Sequence, residues 1–125
     1  MPIDVTEIVV DRSRCARAEW PEEALLGHYE KRAREDPRIK SVTAYERMAR
    51  DTIRKGHIFW FQHEDWMRIG FYNEQGRILT VVSGDQTRII TCITDVSPRY
   101  IERLFFAEGG GKLVDWPNCP FCWEI

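Results

Sequence analysis

No run in this chain is long and apolar enough to span a bilayer, which takes about 20 consecutive apolar residues. The opening Met-Pro-Ile-Asp-Val-Thr-Glu carries neither the basic nor the apolar region of a secretory signal, so the expectation is a cytoplasmic protein with no membrane partner. There is no excess of positive charge either. A formal net charge of -2 argues against a protein that holds nucleic acid by a bulk electrostatic field. Cysteine is sparse: Cys15, Cys92, Cys119 and Cys122 could make two disulfides, but a reducing compartment and a sufficient core remove the need for them, and free thiols or a partial metal site are expected. Repeats and low-complexity tracts are absent. With 125 residues, 43% hydrophobic and 30% charged, the balance is that of one globular, water-soluble domain that buries its own core.

What is present divides into helical and extended periods. Residues 1–20 read as an N-terminal arm, with Ile8-Val9-Val10 as a short extended piece. Trp20-Pro21-Glu22-Glu23 reads as a helix start, with Pro at its entrance and two acids at the positive end of the dipole. That helix runs to Asp36, where Pro37 stops it. Ser41 or Thr43 can cap a second helix over Val42 to Lys55, whose apolar stripe is Val42, Tyr45, Met48, Ala49 and Ile53, with Gly56 as terminator. From His57 the period becomes extended. The segments 57–62, 66–72, 77–83 and 87–95 are β-branched and aromatic, with short turn-forming connectors, and predict an antiparallel meander. Ser97-Pro98 opens a third helix to about Ala107, ended by Gly109-Gly110-Gly111. The expected fold is α+β: two N-terminal helices, a four-stranded antiparallel β-meander, a C-terminal helix and a packed tail. Residues 21–108 form the core, and residues 109–125 form an aromatic and cysteine-bearing tail.

The chemistry concentrates in Gly27-His28-Tyr29-Glu30-Lys31-Arg32. Residues three and four apart share a helical face, so His28, Lys31 and Arg32 can meet one ligand, and a phosphate suits that trio. The surrounding segment from His28 to Lys55 is locally basic, which the acidic remainder hides in the total. The same residues also fit a solvated charged face. Arg68 and Arg88, on strands, could extend a phosphate-binding surface or pair with acids across the sheet. Trp60, Trp66 and Tyr72 could stack bases or fill the core.

Taken in order, the His28-Tyr29-Glu30-Lys31-Arg32 helix, the pattern from Tyr45 to Ile53, the Ile89-Ile90-Thr91 strand and Ser97-Pro98-Arg99-Tyr100-Ile101 resemble the barnase, EndoU, colicin and RelE-like nuclease superfamily, in its small phage and toxin branch. The likeness covers Leu25 to Leu104. It implies a metal-independent endoribonuclease without cofactor, a toxin or phage nuclease, which cleaves transfer or messenger RNA by attack of the 2′-hydroxyl and is held in check by a cognate inhibitor protein. The site residues it implies are His28, Lys31 or Arg32, Thr91 and Tyr100; Arg68 and Arg88 are the substrate-binding candidates from their place on the strands. The acidic net charge and the Cys119-Pro120-Phe121-Cys122 tail depart from that pattern. Two rival readings follow: a non-catalytic protein-interaction domain on the same fold, and a zinc-stabilised module in which Cys119 and Cys122 are joined by Cys15, Cys92 or a histidine.

Overall fold

The computed structural model describes residues 10–63, 66–106 and 111–115, and all statements of structure below concern these. The elements, in chain order, are α1 (Arg12–Ala16), α2 (Glu22–Glu35), α3 (Val42–Lys55), β1 (His57–His63), β2 (Trp66–Asn73), β3 (Ile78–Ser83), β4 (Ile89–Ile93), α4 (Pro98–Phe106) and β5 (Gly111–Asp115). Helices followed by a four-stranded antiparallel meander and a C-terminal helix are as the periodicity predicts. Two elements are additional. A short helix, α1, precedes the two expected ones, and β5 returns from the expected tail to pair antiparallel with β1, so that the sheet order is β4-β3-β2-β1-β5.

Both faces of the sheet are covered, which explains the nearly unbroken apolar runs of β1 and β3. On one face Ile58, Ile69, Phe71, Val82, Ile89 and Cys92 pack against Leu25, Tyr45, Ala49 and Ile53 of the N-terminal helices. On the other, Phe59, Phe61, Leu79 and Val81 pack with Val96 and with Ile101 of α4. Helix α4 lies against β1 and β5, so the second face is least covered toward β4.

Helix α3 starts where the Ser41 side chain accepts from the Ala44 amide at 3.1 Å, so Ser41 and not Thr43 is the cap. Gly56 ends the helix for a different reason from a left-handed turn. Its φ is -72°, and a Cβ there would lie 2.5 Å from the Thr52 carbonyl oxygen and against the backbone of Tyr72, so glycine is required by close approach. Two arginines, Arg50 of the locally basic segment and Arg12 before it, serve the fold. Arg50 donates to the carbonyls of Ala16 and Ala18, each at 2.9 Å, and Arg12 donates to those of Ile53 and Gly56 at 3.0 and 2.8 Å. These bonds satisfy orphan carbonyls at helix ends and hold α1 on α3.

Beyond α2, the buried Asp36 carboxylate accepts from Arg38 Nη2 at 2.8 Å, and Arg38 Nη1 donates to the Gly76 carbonyl at 2.9 Å. Chiefly through the Arg38 hydrogen bonds, the Asp36 carboxyl is held at about 2. A carboxyl lowered by folding stabilises fully above its unfolded value, near 3.9, and that contribution is lost as pH falls through about 2. Carboxyl NMR titration of the protein should therefore show Asp36 titrating near the bottom of the acid range, and Arg38→Ala should move it up toward 3.9. A titration at the ordinary value in the parent protein would contradict the pairing.

Candidate active site

Strand β4 is an edge strand, and unpaired edges must be managed. At its start Glu19 pairs with it: the Glu19 amide donates to the Thr87 carbonyl at 3.0 Å, and the Ile89 amide donates to the Glu19 carbonyl at 2.8 Å. One residue further the ladder with β3 is irregular, since Val81 faces Thr91 while Val82 faces Ile89, leaving Ile90 as the extra residue of a bulge. Bulges re-aim side chains. Here the bulge lies where α2 packs on β4, and His28 stands beside it.

His28 Nδ1 stands 3.3 Å from Thr91 Oγ1, joining residues 63 apart in sequence. The Ile90 backbone also acts on the ring, in the direction that raises its pKa. The Trp20 indole lies beside the imidazole, with ring centroids 6.5 Å apart. With Nδ1 turned to Thr91, proton uptake at Nε2 requires the tautomer in which Nδ1 carries the hydrogen and donates it to Thr91 Oγ1. Burial pushes the His28 pKa below 6.5, and the positive charges of Arg32 and then Lys31 push the same way against the Ile90 backbone. The imidazole is therefore neutral at pH 7 and able to accept a proton.

Lys31 and Arg32, left as alternatives by spacing, take different positions. Lys31 is exposed. Arg32 turns inward: its side chain is 14% exposed, Nη1 lies 3.5 Å from Glu35 Oε2, and its charge acts on Tyr45 and Cys92 as well as on His28. Its Nε is buried without a hydrogen-bond partner among the described residues, as is the Trp20 indole nitrogen. Arg32 is a fixed charge behind the ring, and Lys31 is the cation free to swing onto a ligand.

Tyr100 is elsewhere. Its side chain is 38% exposed on α4, and its amide is held by Ser97 at the helix start. No described hydrogen bond or ring contact joins it to His28 or Thr91. Arg68 and Arg88, by contrast, come together: both line a cleft of about 540 Å³ with Trp66, Ser83 and Ile90. Ile90 thus links this cleft to the His28 ring, which the cleft lining itself does not include. Trp60 and Tyr72 are core residues and Trp66 is exposed, a distinction that β-propensity could not draw.

Trp20 is the site residue that sequence reasoning missed. It read as a helix boundary, and only the pairing of Glu19 with β4 places its ring on His28. For the zinc reading, Cys15 and Cys92 are both buried in the core, where burial pushes their thiols up to about 11 and about 12. No group of three or more potential ligands occurs among the described residues, and Cys119 and Cys122 lie outside them. No helix among the described residues is long and apolar enough to cross a membrane.

No family model, curated protein or solved structure matches the chain.

Proposed function

We propose that this protein is a metal-independent endoribonuclease whose base is His28. The observation that carries the reading is the contact between His28 on α2 and Thr91 on β4, made beside Arg32 and Lys31. A neutral imidazole, oriented through one nitrogen and flanked by two cations, suits a phosphodiester with an adjacent hydroxyl. His28 Nε2 takes the proton from the 2′-oxygen, which attacks phosphorus. The P–O5′ bond breaks, the 5′-oxygen takes a proton from water, and the products are a 2′,3′-cyclic phosphate and a 5′-hydroxyl end. Lys31 and Arg32 offset the charge that develops on the phosphorane. Thr91 orients the ring. Tyr100 is assigned no step.

The test is incubation of the purified protein with transfer and messenger RNA in EDTA, with end-group analysis of the products. Cyclic-phosphate ends that appear with the parent protein and disappear with His28→Ala support the reading. Absence of cleavage of every RNA tried would remove it in favour of a non-catalytic interaction domain. Thr91→Val keeps the strand and loses the hydroxyl. Its expected effect is a drop of about 2- to 12-fold in kcat, the equivalent of one hydrogen bond of ordinary strength. An unchanged rate would show that the ring is positioned without it.

A further inference from the structure

We propose that the cleft between β2 and the β3–β4 turn is a subsite for single-stranded RNA, in which an unpaired base stacks on Trp66 and the neighbouring phosphates meet Arg68 and Arg88. The inference rests on the ribonuclease reading and names the form of RNA that the site takes. Trp66 is the most exposed large hydrophobic side chain described, at 66%, although tryptophan is ordinarily a buried residue. It lies at the start of β2, two residues from Arg68, so the two side chains rise from the same face of the sheet.

The turn supplies the other wall. Arg68 pairs with Ser83 across the sheet, and the Ser83 hydroxyl accepts from the Arg88 amide at 3.1 Å, which ties the position of the second arginine to that of the first. Gly84 brings this turn onto β2, since a Cβ there would lie 2.8 Å from the Met67 carbonyl oxygen. The cleft also contains Asp85, but its carboxylate is engaged by Ser83 Oγ at 2.6 Å and Thr87 Oγ1 at 2.7 Å, and these bonds hold it ionised, at about 2. Its work is to shape the turn.

An exposed aromatic plane that lines one cleft with two arginines suits a strand in which bases alternate with phosphates. A duplex keeps its bases stacked inside and offers Trp66 nothing to stack on, whereas a single strand can splay one out. Trp66 and Arg68 alternate with Ile69 and Phe71 and so rise on the face of the sheet opposite the N-terminal helices, and Ile90, at the β4 edge, is the residue that the cleft shares with the surroundings of His28.

Binding should be measured on the full chain carrying His28→Ala, which leaves the RNA intact, with a fluorescently labelled ten-nucleotide oligoadenylate and with a duplex of the same length. The single strand is expected to bind more tightly. Trp66→Ala should weaken it by about 10-fold or more, and Trp66→Phe should retain most of the affinity. Arg68→Ala and Arg88→Ala should each flatten the dependence of log K on log salt by about 0.7, the loss of one phosphate contact. Equal binding of duplex and single strand, or indifference to Trp66→Ala in a chain of unchanged circular dichroism, would overturn the subsite. So would binding of an acidic protein at this cleft with no binding of RNA. A parent protein that binds the single strand through Trp66 yet cleaves nothing overturns the ribonuclease reading alone. One that cleaves but is indifferent to Trp66 overturns the subsite alone.

Discussion

His28→Ala is expected to lower RNA cleavage by about 100- to 10,000-fold at saturating substrate, the range for removal of a general base. The variant should fold, since the ring is half-buried at a sheet edge and its loss leaves Thr91 within reach of water. The pH dependence is the sharper check. Rate should fall as pH falls, because protonation removes the base. In kcat/KM the midpoint reports the free protein and should lie below 6.5, the direction set by burial and by Arg32 and Lys31. Lys31→Ala removes one of the two cations, so the midpoint should rise. In kcat, a bound phosphate partly neutralises both cations, and the midpoint should lie above that of kcat/KM. A rate independent of pH between 5 and 8, or a His28→Ala protein as active as the parent, would exclude His28 as the base.

The elements carrying strong periodic signals were legible in the sequence. The stripe of α3 and its end at Lys55 follow directly from Val42, Tyr45, Ala49 and Ile53, and the four meander strands follow from β-branched runs separated by turn residues. The two elements that were not legible depend on distant partners. Helix α1 has five residues, too short to persist by propensity, and is held by Arg12 on the carbonyls of α3. Strand β5 has no signal beyond Lys112-Leu113-Val114 and exists because β1 offers it an edge. The same division holds at the site. His28 and the two cations could be grouped by helical spacing, because that is local geometry. Their meeting with Thr91 needs α2 to pack on β4, which no spacing encodes and which came only through the nuclease resemblance. Separating Lys31 from Arg32 required knowing which side of α2 faces Tyr45.

Tyr45→Ala should lower the stability of the protein by about 3 to 5 kcal/mol, the range for removing a buried aromatic side chain. Tyr45 is fully buried, and its ring contacts those of Trp20 and Tyr29, with centroids 5.4 and 6.3 Å away. Its hydroxyl donates to the Cys92 carbonyl at 2.5 Å, so α3 is bonded to β4 one residue after Thr91. Tyr45→Phe separates the two contributions. It retains the ring and leaves a buried carbonyl unpaired, at a cost of about 1 to 3 kcal/mol. Urea unfolding followed by circular dichroism measures both, and an unchanged midpoint for Tyr45→Phe would mean that the Cys92 carbonyl finds another donor. The consequence reaches the site, because the same ring supports Trp20 against His28 and lies within the field of Arg32. Tyr45→Phe is therefore expected to lower cleavage by more than the unfolded fraction accounts for. Equal losses would show that α2 is held on the β4 edge by His28 and Glu19 without the help of α3.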